Sequence, residues 1–312
     1  MFVTINNYLI LSVTSFQGEI AALSAACLWA LASVLYGRLG QRIPPLQLNL
    51  IKGIIAIALL FLTILIRGEL FPSIPPLSVC LILLSGFVGI CLGDTAFLAA
   101  INFIGARRVL LIGTLAPPIT AILALIFLQE QLNVSAWCGI LLTVLGVAWV
   151  VTERVPSTSE SSLTYPWRGI CFALLAAIAN ATGGVLSRAA LANTSISPLW
   201  AALLRLTAAV LMLLIWILCR KQQVSSVQLK ILQEPRFLLV AILASFCGTY
   251  LGIWLQQTAI KLTPAGISFT LLQTSPLFVI PIAIAMKEKV SVRAIAGVIV
   301  AIAGIGLLFY LK

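Results

Sequence analysis

APPITAILALIFLQEQL, residues 116–132, decides the fold class. Proline has no N–H, and its ring crowds the carbonyl one turn earlier. Pro117 and Pro118 therefore deprive Gly113 and Thr114 of their helix partners, and Pro276 does the same to Leu272. The apolar run is nonetheless long. Extended back to residue 106 it reaches the length of about 20 residues that a bilayer-spanning helix needs. It then ends in Glu130.

The rest of the chain agrees with a membrane reading. Of 312 residues, 62% are apolar and only 9% charged, and the mean hydropathy is +1.16. Such a composition belongs to an integral membrane protein. Histidine is absent, which removes the usual general base and the commonest metal ligand. With eight acidic residues and no acidic cluster, the chain is expected to be no enzyme, with no catalytic residue, metal or other cofactor. Seven cysteines are scattered singly, with no CxxC pair, and read as small core hydrophobes. The net charge of +11 is spread over many short loops, which predicts a topogenic role and no nucleic acid. The first 18 residues carry no Lys or Arg, so they resemble neither a secretory signal nor an Arg-rich transit peptide.

Ten spans fit between charged or Pro-rich breaks: 19–38, 46–66, 77–98, 106–128, 133–152, 167–188, 197–219, 236–260, 264–286 and 291–311. The third reads on toward Ile104. Connections are short except for the Ser-rich 153–166 and the basic 220–235, which has the composition of an interfacial helix. The domain reading is a first five-helix unit at 19–152, a polar linker at 153–166 and a second unit at 167–311.

The two units repeat. GDTAFLAAINFIGA (93–106) aligns with GIWLQQTAIKLTPA (252–265), each preceded by a GxxL step. After a one-residue slip, Pro118 meets Pro276, Glu130 meets Glu288, Gly139 meets Gly297 and Gly146 meets Gly304. Ala22, Ala26 and Ala30 meet Ala173, Ala177 and Ala181, and Lys52 meets Arg205. Because five is odd, the second copy must enter the membrane from the opposite side. The expected fold is all-α, ten transmembrane helices as two inverted five-helix repeats, an architecture of many secondary transporters.

Residues 118–146 (PITAILALIFLQEQLNVSAWCGILLTVLG) and 276–304 (PLFVIPIAIAMKEKVSVRAIAGVIVAIAG) resemble the proline, glutamate and double-glycine signature of the EamA family of the drug/metabolite transporter superfamily. The resemblance implies spans 1–4 and 6–9 around a central cavity, spans 5 and 10 at the periphery, and export or import of small metabolites. It also implies a tryptophan in the first span, present as Trp29; Asn180 stands there in the second repeat.

The candidate cavity residues are Trp29, Lys52, Asp94, Thr114, Asn180, Arg205, Tyr250, Trp254, Gln257, Thr270 and Gln273, with the helix breaks at Pro117, Pro118 and Pro276. The breaks are either plain kinks or a lining of the transport path. At 1.5 Å per residue, Lys52 and Asp94 lie roughly 6–9 Å from mid-membrane on one side and can pair. Asp94 reads as half of a structural ion pair or as a proton-coupling carboxylate. Arg205 has no acidic equivalent beside it, because Ile253 replaces Asp94. Arg205 and Arg188 read as two arginines without a nearby carboxylate, which either hold backbone carbonyls and the glutamines Gln256 and Gln257 or attract an anionic or carboxylate-bearing solute. Tyr250, Trp254 and Trp29 either line an apolar site or pack as core. Glu130 and Glu288 read as acids facing the start of the next helix, and Gly89, Gly93, Gly248 and Gly252 as close-packing positions.

The side carrying loops 1–2, 3–4, 5–6, 7–8 and 9–10 has 13 Lys and Arg outside the spans, and the side of the termini has 4. The positive-inside rule then places the termini outside, whereas the resemblance implies the cytoplasm; the count is followed here. The reading is a multi-pass carrier in the cell membrane that moves a small metabolite by alternating access, with proton coupling through Asp94 as one option. The alternative is a permease-like sensor that binds without transporting. The expected partners are a small-molecule solute and the lipid bilayer, and the reading admits a homodimer.

Overall fold

The protein is described by a computed structural model over residues 16–40, 42–69, 74–104, 106–152, 166–219, 234–285 and 292–310. In chain order its helices are α1 (Gln17–Gly40), α2 (Pro45–Arg67), α3 (Pro76–Ser85), α4 (Thr95–Ile104), α5 (Ala106–Gly113), α6 (Ala116–Leu128), α7 (Val134–Thr152), α8 (Pro166–Leu191), α9 (Pro198–Cys219), α10 (Pro235–Ser245), α11 (Gly252–Leu262), α12 (Ala265–Leu272), α13 (Ser275–Ala285) and α14 (Val292–Tyr310). Two stretches of π-helix, π1 (Gly86–Asp94) and π2 (Phe246–Leu251), join α3 to α4 and α10 to α11. No strand occurs among the described residues. The linker at 153–165, the basic stretch at 220–233 and Glu288 lie outside them.

Nine continuous apolar stretches are long enough to cross a bilayer among the described residues. A shorter one, Ala265–Pro281, covers α12 and the start of α13, where the ninth span was expected. Local chemistry sets the ends. α2, α3, α8, α9 and α10 begin on a proline, whose missing N–H costs nothing in a first turn. α2 closes on Gly68 at φ 71°, whose N–H returns to Ile64 and Leu65, a left-handed stop that glycine adopts freely.

The elements are drawn together by small side chains, as expected where lipid gives no hydrophobic drive between helices. α7 and α14 pack along their whole length. A Cβ placed at Gly139 would meet Gly304 O at 3.1 Å, and one at Gly297 would meet Gly146 O at 3.1 Å. Gly146 in turn faces Ala301. These positions run in opposite directions along the two helices, so α7 and α14 are antiparallel. The π segments make a second such set: Gly89 lies on Gly183 of α8, and Gly248 lies on Ala32 of α1.

Both ends of the described chain share one face, where the rings of Phe16 and Phe309 are 5.3 Å apart and Gly18 abuts Thr263. The periphery is apolar: Phe127, Ile66 and Leu145 are among many exposed large hydrophobics, which suits lipid contact. One expectation is corrected there. The cysteines form no disulfide, yet Cys27, Cys80, Cys138, Cys171 and Cys219 are exposed and only Cys91 is buried. A thiol is as comfortable against lipid as in a core, so the membrane removes the reason for cysteine to be interior.

Candidate solute pathway and its closure

The proline breaks place two short helices end to end in each repeat. α5 stops at Gly113 and α6 starts at Ala116; α12 stops at Leu272 and α13 starts at Ser275. α12 packs on α6, with Gly266 against Ala121, so the broken helices of the two repeats meet. Gln273 Nε2 donates to Gly113 O at 3.4 Å, the carbonyl from which Pro117 withholds a donor. One break thus supplies a partner to the other. The nearby hydroxyls serve their own helices: Thr114 Oγ1 donates to Leu111 O at 2.6 Å and Thr270 Oγ1 to Gly266 O at 2.7 Å. Pro276 sits in the first turn of α13.

The aromatic candidates build a wall. Trp29 Nε1 donates to Gly248 O in π2 at 2.8 Å, and its indole occupies the space over Gly252. Tyr250 O–H pairs with Thr63 of α2 at 2.7 Å, and its ring lies 6.0 Å from that of Trp254. The Arg67 guanidinium stands 5.9 Å from the Trp254 ring. Tyr250 and Trp254 thereby fasten α2, α9 and α11. Tyr36, not singled out in the sequence, hydrogen-bonds Thr249 at 2.9 Å and stands 5.7 Å beneath Lys52 Nζ. Its signal is the GxxxG motif: Gly248 leaves room for this ring.

The charged candidates gather around π1. Lys52 Nζ lies 3.6 Å from Asp94 Oδ2, and Asp94 is the last residue of π1. Arg205 of α9 is 2% exposed, and its Nε and Nη1 have no hydrogen-bond partner. Its backbone lies against Gly86, and Nη2 is 3.1 Å from where a Cβ on Gly89 would stand. Asn180 borders the same segment through Gly93. Gln257 is fully buried with both amide atoms unpaired.

A polar lock joins helix ends near the face where Gly18 abuts Thr263. Glu130 Oε1 accepts from Arg188 Nε at 2.5 Å, and Oε2 accepts the Ala265 N–H at 2.8 Å. Arg188 Nη1 also donates to Ile260 O and Lys261 O, at 2.8 and 2.6 Å. Lys261 Nζ in turn holds Ile196 O at 2.8 Å. The ends of α6, α8 and α11 and the start of α12 are joined there. This corrects two expectations. Glu130 caps α12, not the next helix α7, whose first turn is held by Asn133 through the Ala136 N–H at 2.8 Å. Arg188 does have a carboxylate. The partners are 58 residues apart, so no local spacing exposes them.

Among the described residues no group of three or more acidic or cysteine side chains could hold a metal ion. No curated protein sequence matches the chain. Among solved structures, one crystal structure of a protein superposes with a TM-score of 0.74 at 15% identity, covering 93% of this chain and 95% of that one. That likeness concerns the fold alone. The model of the EamA-like transporter family matches twice, over residues 16–152 and 167–310. With almost the whole chain accounted for by two copies of that model, this multi-pass membrane protein belongs to the EamA-like transporter family.

Proposed function

We propose that the chain is a secondary transporter that moves a small metabolite across the cell membrane by alternating access of two inverted five-helix repeats, ten spans in all. Reciprocal packing carries the reading. Gly139 meets Gly304 while Gly146 meets Gly297, and these residues are pairwise equivalent in the repeats. A twofold axis in the membrane plane produces such reciprocity. Phe16 and Phe309, near the two ends of the described residues, lie on one face, which supports an even number of crossings between them. The Glu130–Arg188 pair ties the two repeats together at one face, which supports a state closed there, as alternating access requires.

In this reading solute passes between the breaks of α5–α6 and α12–α13 and the wall of Trp29, Tyr250 and Trp254, with Asn180, Gln257, Thr270 and Gln273 among its borders. Asp94 couples transport to protons: protonation releases Lys52 and changes the charge of the pathway by one. The test is solute counterflow in proteoliposomes containing the full chain, screened over sugars, nucleobases, carboxylates and amines. Saturable counterflow is the expected result, and binding without flux sinks the transport reading. Asp94→Asn is expected to keep counterflow and lose dependence on the pH gradient. Unchanged gradient dependence removes Asp94 from coupling.

A further inference from the structure

Of the two described cations placed well inside the spans, Lys52 has Asp94; nearer the span ends, Arg188 has Glu130 and two carbonyls, and Lys261 has Ile196 O. Arg205 is the exception, 2% exposed with Nε and Nη1 unpartnered. An apolar side chain of similar length would pack there without the desolvation cost of a charge, so an unpaired guanidinium in a membrane interior points to a use. The surroundings are built for it. Gly86 and Gly89 remove two side chains from π1, the first for the Arg205 backbone and the second for its guanidinium. From Gly89 the strip continues five residues to Asp94, a rise of about 6–8 Å, and Asp94 feels the charges of both Lys52 and Arg205.

We infer that Arg205, backed by the Lys52–Asp94 pair, is the docking point for a carboxylate on the transported solute. The inference rests on the transport reading and adds the solute's chemical class. The three side chains sum to one positive charge, so a monoanion neutralises the cluster. A dianionic phosphate overcharges it beside Asp94, and a zwitterion leaves it unbalanced. A planar fork meets a carboxylate with two parallel N–H bonds, which an ammonium cannot do. Leu203 and Leu206 of the same helix, with Ile90 of π1 and Tyr250, belong to one apolar cluster, which suits a solute whose remainder is apolar.

The experiment uses the full chain in lipid nanodiscs at neutral pH. Phenylacetate is titrated against phenylacetamide, which has the same shape without charge, and phenyl phosphate, the dianion; thermal stabilisation and calorimetry read binding. Phenylacetate is expected to bind at least tenfold tighter than either. Arg205→Lys, which keeps the charge and loses the fork, should weaken it about tenfold, and Arg205→Met should abolish the preference over the amide while unfolding at the same temperature or higher. Equal binding of acid and amide, tighter binding of the phosphate, or retained preference in Arg205→Met overturns the proposal. So does a large loss of thermal stability in Arg205→Met, which makes the residue structural. Carboxylate binding without counterflow sinks the transport reading and leaves the subsite standing; counterflow of uncharged solutes alone does the reverse.

Discussion

Glu130 spends its two carboxylate oxygens on donors from different helices, the Arg188 guanidinium and the Ala265 N–H. Both Glu130 and Arg188 side chains are only about one-seventh exposed, 16% and 14%, so water cannot replace a lost partner cheaply. A charge-assisted hydrogen bond in such a setting contributes about 1.5–3 kcal/mol. Glu130→Gln and Arg188→Met should each lower stability by about 1–3 kcal/mol. The double variant should cost less than their sum by about 1 kcal/mol or more, because the pair acts as one unit. Thermal unfolding of the four proteins checks this, and additive losses would separate the two residues. The sequence displayed Glu130 as part of a repeated signature but not its target. Distance along the chain hides such a partner, and an acid before a helix start reads the same whichever helix it caps.

At the scale of the elements, the α7–α14 seam depends on having no side chain at four positions. A Cβ at Gly146 would strike the backbone and side chain of Ala301, and overpacking typically costs about 1–3 kcal/mol, more when backbone has to move. Gly146→Leu should therefore unfold at markedly lower temperature in detergent. Gly306, on the same seam helix, has nothing within 4 Å; Gly306→Leu should leave stability unchanged or raise it by up to about 1 kcal/mol through helix propensity. Equal losses at both positions would mean that the close approach of Ala301 to Gly146 is not what destabilises the seam variant. Nine of the ten expected spans were legible in the sequence, because bilayer thickness imposes length and apolarity on each one, while the expected ninth is a shorter apolar stretch, Ala265–Pro281. The π segments were not legible. Their sequences, GFVGICLGD and FCGTYL, are poor in strong helix formers, but low propensity does not by itself tell a π turn from a kink; Gly183 and Ala32 approach them at Gly89 and Gly248.

For the whole molecule, the described terminal residues Phe16 and Phe309 meet at one face, together with the Glu130–Arg188 lock. The Lys and Arg count outside the spans, 13 on the opposite side against 4 on this one, puts that opposite side in the cytoplasm by the positive-inside rule. Arg188 and Lys261, two of the four, are bound in the lock, so the free charge is more lopsided still. A reporter fused after Lys312 should be active only in its extracytoplasmic form; activity of a cytoplasmic reporter alone reverses the orientation and moves the lock to the inner face.

The amino-acid sequence by itself determined that the chain is helical and lives in a membrane, that it is duplicated, and that Lys52 and Asp94 can pair. Each follows from local composition, from register between copies, or from depth along a helix of fixed rise. Only the tertiary structure decided that Trp29 and Tyr250 spend their polar atoms on Gly248 and Thr63, that Gln273 answers the carbonyl freed by Pro117, and that Arg205 keeps Nε and Nη1 buried without a hydrogen-bond partner. Those outcomes are fixed by which helix faces meet. Lipid solvates every apolar face alike, so hydropathy marks where a helix lies in the bilayer and leaves its choice of neighbour to small-residue fit and hydrogen bonding across the bundle.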